Sequence, residues 1–131
     1  MILADTSVWV RGLHAVEPYK TEMERLLLAG RVVGHAFIFG ELLIGDKGGR
    51  PKLLFDYQKL RQCDAVPHSE VVSLVRHRKI HGRGIGWIDS HLLASALAEG
   101  HQLWTADRDL QEIGREFGVA YEPPKLELAK R

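Results

Sequence analysis

The apolar positions of this 131-residue chain change period repeatedly: short continuous runs, as in buried strands, alternate with longer stretches at helical spacing. Ile2 to Ala4 predicts a first strand, Ser7 to His14 a short helix, and Pro18 to Ala29 a helix that Gly30 stops. Arg31 to Gly34 predicts a second strand and Ala36 to Ile44 a helix closed by Gly45; the polar stretch Asp46 to Pro51 is a loop before a helix from Lys52 to Gln62. Cys63 to Val66 predicts a short third strand, and Pro67-His68-Ser69-Glu70 opens a helix over Val71 to Ile80. The glycine-rich loop His81 to Gly86 leads to a helix that begins near Asp89, runs to Glu99 and is ended by Gly100. Gln102 to Thr105, Arg108 to Phe117 and Val119 to Tyr121 then predict a strand, a helix and a last short strand. Strands alternating with helices imply one α/β domain over residues 1–131 with a mostly parallel sheet, and a charged, mobile tail from about residue 123, after Pro123-Pro124.

Composition narrows the class without naming a chemistry. A formal net charge of +1 excludes a globally basic nucleic-acid coat, so contact with a polyanion must come from local clustering. One cluster stands out: Arg76, His77, Arg78, Lys79, His81 and Arg83. The single cysteine, Cys63, has no internal disulfide partner and no second ligand at metal-binding spacing, which reads as an ordinary core thiol in a reducing interior rather than a zinc site. Met-Ile-Leu-Ala-Asp at the start has no basic n-region or long apolar run, so neither signal peptide nor membrane span is expected and a cytoplasmic location is the default.

The candidate chemistry lies in four acids. Asp5, Asp89 and Asp107 each stand where an apolar strand-like run or a glycine-rich loop gives way to a helix. Asp is among the best helix caps, so capping alone accounts for any one of them. In an open parallel sheet, however, the carboxyl ends of the strands face one crevice, and convergent carboxylates repel unless a cation or protons neutralise them. Glu41 favours the second account. It sits in Ala36-Phe37-Ile38-Phe39-Gly40-Glu41-Leu42-Leu43-Ile44, apolar nearly all round, where a buried carboxylate needs a metal or an arginine partner. The hard oxygen-ligand cation that suits such a cluster is magnesium or manganese, and its usual work is phosphate chemistry. Thr6 and Ser7 follow Asp5 closely enough to fix its rotamer or donate a hydrogen bond to phosphate, with capping of the short helix the simpler account; Thr105 is placed to orient a carboxylate or a metal water, and Asp109, in the first turn of its helix, is a doubtful fifth acid.

Together Asp5-Thr6-Ser7-Val8-Trp9, Gly40-Glu41-Leu42, Gly86-Trp87-Ile88-Asp89-Ser90-His91-Leu92-Leu93-Ala94 and Leu103-Trp104-Thr105-Ala106-Asp107-Arg108-Asp109 resemble a PIN domain, and more narrowly the VapC toxins. The resemblance covers nearly the whole chain in the expected order. It implies a three-layer α/β/α sandwich and a Mg2+- or Mn2+-dependent endoribonuclease, usually a homodimer, inhibited by a cognate VapB-type antitoxin lying across the acidic site. Carried over, Asp5, Glu41, Asp89 and Asp107 match the acidic quartet, with Asp5 and Asp89 as direct metal ligands and Glu41 and Asp107 binding metal or holding its waters. Cleavage by a metal-activated water, leaving 5′-phosphate and 3′-hydroxyl ends, is implied as well.

An acidic pocket alone repels RNA, which gives the basic stretch a use: Arg83, in the loop leading to Asp89, with Arg76 and Lys79, is expected to hold phosphates, although a solvated helix face explains the same charges. His77 and His81 have zinc-capable spacing but no third ligand nearby; of the remaining histidines only His35, directly after the second strand, draws notice. Two other functions fit less well. A phosphotransferase with Asp5 as nucleophile wants a second Asp where Ser7 stands, and a receiver-like magnesium-binding module wants a lysine after a strand. A PIN nuclease of RNA processing, without toxin activity, is the nearer alternative.

Overall fold

The computed structural model describes residues 1–124, so the tail expected beyond Pro124 lies outside the described residues. Three parallel strands form the sheet: β1 (Ile2–Ala4) lies at its centre, between β2 (Val32–Val33) and β3 (Gln102–Trp104). Ile2 faces Val32 on one side and Gln102 on the other, so the strand ends are in register and all three carboxyl ends open at one edge. Seven helices flank the sheet among the described residues: α1 (Thr6–Leu13), α2 (Tyr19–Leu28), α3 (Ala36–Gly45), α4 (Pro51–Lys59), α5 (His68–His77), α6 (Trp87–Glu99) and α7 (Arg108–Glu116). The result is a three-layer α/β/α sandwich, as expected.

The core follows from the apolar runs. Ile2, Leu3 and Ala4 have no exposed surface, and Leu103 and Trp104 are nearly as closed. Helix α6 is buried along Ser90–Ala96, which includes Leu92, Leu93 and Ala96. It ends at Gly100, whose φ of +72° closes the helix in the left-handed region that a side chain resists.

Two predicted strands contract to single bridges. Instead of a strand over Cys63–Val66, only Gln62 bridges Gly34. Helix α4 stops at Lys59, Asp64 gives its N–H to Glu99 Oε2 (2.7 Å), and Ser95 Oγ bonds the Asp64 carbonyl (3.3 Å). Those side chains occupy the backbone groups a longer strand would use, and Pro67, just beyond, has no N–H to give. Likewise Val119–Tyr121 reduces to Ala120 bridging Leu103, with Pro123 and Pro124 ending the pairing. Helices α5 and α6 start earlier than expected, at His68 and Trp87, so Asp89 stands within the first turn of α6 rather than at its start.

Candidate active site

Asp5 lies directly beyond β1 and is only 4% exposed. Its Oδ1 accepts from Ser7 Oγ (2.5 Å) and from the Val8 N–H (3.1 Å), and its Oδ2 accepts from Thr105 Oγ1 (2.5 Å). Asp5 is therefore the cap of α1 and also a carboxylate locked in one rotamer by groups from two strand ends. Thr105 in turn accepts from the Asp107 N–H (3.0 Å), and Ser7 Oγ accepts from the Ala106 N–H (3.0 Å), which stitches the β3 exit to the β1 exit. Burial pushes the Asp5 carboxyl above its ordinary 3.8, against the hydrogen bonds from Ser7, Thr105 and Val8, which pull it down.

The other acids come to the same edge by different routes. Asp107 is exposed and caps α7, accepting from the Leu110 N–H (2.8 Å). Asp89 is half-buried, and its only backbone partner is a long contact from the Gly86 N–H (3.4 Å). Its carboxyl is pushed upward by burial and by the negative charges of Asp5, Asp107 and Glu41, which outweigh that one hydrogen bond. Glu41 arrives on α3 and accepts a hydrogen bond from Thr6 Oγ1. Of the hydroxyls expected to serve the acids, Ser7 and Thr105 thus orient Asp5, whereas Thr6 orients Glu41.

Glu41 departs from the sequence expectation in one respect: it is exposed, not buried. The apolar girdle of α3 is itself half outside, with Leu43 51% and Ile44 88% exposed, so the helix shows an apolar face to solvent instead of sinking all of it into the core. Glu41, Thr6, Val10, Leu42, Leu53 and Arg50 border an open cavity of about 390 Å3 between α1, α3 and α4. Lys47 and Arg50 are cations on this cavity wall that the sequence reading left as plain loop; their place in the polar segment following the Glu41 helix was the available signal. His35 has a structural task. Its Nδ1 accepts from the Phe37 N–H (3.0 Å), capping α3, while Nε2 meets Ser95 Oγ (3.1 Å) on α6.

The expected RNA-binding residues divide. Arg76 and Lys79 are exposed and in no ion pair among the described residues. Arg83 instead forms a two-pronged pair with Glu116 of α7 (2.8 and 2.6 Å). Next to it Gly84, at φ +89°, packs so closely on the Asp109 carboxylate that a Cβ would collide with it. Arg83 and Asp109 therefore pin the glycine loop to α7. Trp87, expected to shield Asp89 or fill the core, is 43% exposed, its ring against His68 and His91 (centroids 5.1 and 4.9 Å).

A parallel sheet with strand order β2-β1-β3 and acids at its carboxyl edge defines the class. The PIN domain profile matches residues 2–116, and the chain belongs to the PIN-domain family. Within it the chain is of the VapC type: it is 40% identical over 122 residues to Ribonuclease VapC32 of Mycobacterium tuberculosis, covering 92% of this chain and 95% of that protein. The same figures hold for Ribonuclease VapC32 of strains CDC 1551 and H37Rv. The solved structure of PAE2754 from Pyrobaculum aerophilum shares the fold, with a TM-score of 0.55 at 17% identity over 85% of this chain and 84% of that one.

Proposed function

We propose that this chain is a metal-dependent endoribonuclease and the toxin of a toxin-antitoxin pair, hydrolysing RNA phosphodiester bonds at a site built from Asp5, Glu41, Asp89 and Asp107. One arrangement carries the reading: Thr105 links Asp5 to Asp107 across neighbouring strand exits, Thr6 beside Asp5 holds Glu41, and the Asp89 carboxyl is raised in part by the charges of all three, so four carboxylates from four separate chain regions share one neighbourhood. The donor set fits a hard divalent cation, Mg2+ or Mn2+. Every ligand is oxygen, and Asp5, with three of its roughly four acceptor positions filled, keeps one free on Oδ2. Such an ion, when bound, supplies a Lewis acid for phosphoryl oxygen and an acidified water.

The chain's own residues do the rest. Ser7 and Thr105 hold Asp5 in one orientation, and Thr6 fixes Glu41 across from it. Helices α1, α6 and α7 all begin at this edge, and their N-terminal dipoles favour a phosphate placed there. Arg76 and Lys79 supply positive surface for the RNA strand, with Lys47 and Arg50 on the wall of the cavity that Glu41 also borders. The apolar face of α3 at Leu43 and Ile44, with Phe55 59% exposed on α4, suits a VapB-type antitoxin or the second copy of a homodimer. A cytoplasmic setting is consistent with this; no described helix is long and apolar enough to cross a membrane.

The decisive measurement is RNA cleavage with Mg2+ or Mn2+, with and without chelator, for wild type and Asp5→Ala. Cleavage should vanish with chelator and fall by about a thousandfold in the variant, the scale on which removing one group that stabilises transition-state charge is felt. Equal cleavage by both proteins would overturn the enzymatic reading. Growth arrest on expression, relieved by a co-expressed neighbouring small protein, separates a toxin from a PIN nuclease of RNA processing.

A further inference from the structure

At the end of α6 remote from Asp89, three side chains of different chemistry meet. Glu99 is the last residue of the helix, His101 follows across Gly100, and Cys63 enters beside β2, its N–H bonded to the Gly34 carbonyl (2.8 Å). One donor atom from each of the three lies within 4.8 Å of those from the other two. Cys63 is 8% exposed and His101 5%, so the thiol and the imidazole are both shut away from water.

We propose that Cys63, Glu99 and His101 form a second cation site, separate from the acidic one, that takes a borderline-soft divalent ion of the zinc class. Four features carry the assignment. First, the donors are a thiol sulfur, a ring nitrogen and a carboxylate oxygen, the set zinc accepts and magnesium avoids. Second, the imidazole of His101 turns Nε2 toward Glu99 (3.0 Å), and its Nδ1 is buried with no hydrogen-bond partner among the described residues, so no other bond competes for the ring.

Third, the ligands are already oriented. Glu99 Oε2 is held by the Asp64 N–H (2.7 Å), an outer partner that fixes the carboxylate, and Oε1 lies 3.0 Å from His101 Nε2, the two ligand atoms an ion would part and bind. Fourth, the site is at the C-terminal end of a 13-residue helix, where the helix dipole favours a cation. None of these residues contacts the four acids by a hydrogen bond, and nothing in the proposed hydrolysis uses them. An ion here ties the segment around Cys63, which has only one bridge to the sheet, to α6 and to the start of β3.

The test uses tag-free, metal-stripped full-length protein carrying Asp89→Asn to weaken the acidic site, titrated with Co2+ as a spectroscopic probe. One equivalent should bind with thiolate-to-cobalt charge-transfer absorption, be displaced by Zn2+ but not by Mg2+, and raise the melting temperature. Cys63→Ser should abolish the absorption, and Glu99→Gln, which can still accept from the Asp64 N–H, should weaken binding at least about tenfold. Absence of thiolate absorption at saturating Co2+, displacement by Mg2+, or unchanged binding in both variants would overturn the proposal. If Cys63→Ser fails to fold, as circular dichroism would reveal, Glu99→Gln decides alone: unchanged affinity refutes the site and the tenfold loss upholds it.

Discussion

Helix α6 carries a carboxylate near each end, and the two live in opposite electrostatic worlds. At ~1.5 Å rise per residue, Asp89 and Glu99 stand about 15 Å apart along one axis. Asp89 is pushed up by burial and by three other acids, while Glu99 is pulled down, first by the Asp64 N–H and then, against burial, by His101. One end collects like charges that need a cation or protons to coexist; the other holds an ionised acid already satisfied by donors, beside a thiol and an imidazole. The contrast teaches that a carboxylate alone does not specify a metal site. The proposed hard-cation site stands where acids crowd together, and the proposed softer one where a single acid meets a ring nitrogen beside a thiol.

The sharpest way to break this contrast is to disturb the orientation of Asp5 without touching a carboxylate. Thr105→Val keeps the shape but removes the hydroxyl that donates to Asp5 and accepts from the Asp107 N–H. RNA cleavage should fall by about 10- to 100-fold, the usual cost of losing a group that orients a metal ligand. Stability should drop by about 1–3 kcal/mol in urea denaturation, because the buried Asp5 carboxylate loses a donor and the part-buried Asp107 N–H its acceptor. Thr105→Ser should restore both, and cobalt binding at Cys63 should not change in either variant. Normal cleavage by Thr105→Val would remove Thr105 from the machinery and with it the reason for a rigid Asp5.

How much of this was legible depends on the kind of signal. The places of Asp5 and Asp107 at strand exits, and of Asp89 near a helix start, were readable because period changes in the apolar pattern fix where strands end and helices start; parallel pairing brings the first two together. The burial of Glu41 was misread because an all-apolar helix looks the same whether it is core or an exposed sticky face; only packing shows that Leu43 and Ile44 point outward. The strand after Cys63 was over-read since sequence does not reveal that Glu99 and Ser95 take the backbone groups of Asp64. For the same reason Cys63 read as a lone core thiol: its neighbours Glu99 and His101 come from a distant helix end, with no motif spacing to announce them. Arg83 looked free for RNA because its partner, Glu116, lies at the end of another helix.

His35, which caps α3 and meets Ser95 of α6, offers a pH test of a smaller effect. Burial, and then the neighbouring His91, push its imidazole below the ordinary 6.5, with Glu99 working in the opposite direction; the Tyr57 hydroxyl meets its backbone N–H (2.9 Å). The unfolded chain therefore takes up a proton at His35 before the folded one does. The sign follows: the stability that neutral His35 contributes is complete above about pH 6.5 and is lost as the pH falls through the lowered native value. Protonation also abolishes the Nδ1 acceptor that caps the helix carrying Glu41. Urea midpoints measured from pH 8 to pH 5 should fall more steeply for wild type than for His35→Asn, which keeps a capping oxygen but cannot titrate. Identical slopes would mean that His35 does not couple α3 to α6 through its charge.

The smallest expected effect separates cations that serve the acidic end from one that only builds it. Each phosphate-contacting cation adds about one unit to the slope of log affinity against log salt, so Arg76→Ala and Lys79→Ala should each lower that slope by about 1 for RNA binding measured without cleavage, in Ca2+. Arg83→Ala should leave the slope unchanged, because both prongs of its guanidinium already face Glu116. Its consequence should be mechanical instead: the loop from Gly82 to Gly86 loses one of its ties to α7, and Asp89, two residues into α6, loses definition rather than charge. A drop in cleavage with an unaltered salt slope identifies Arg83 as a positioning residue. A salt slope reduced as much as for Arg76→Ala would show that the Glu116 pair opens in the complex and that Arg83 reaches the phosphates after all.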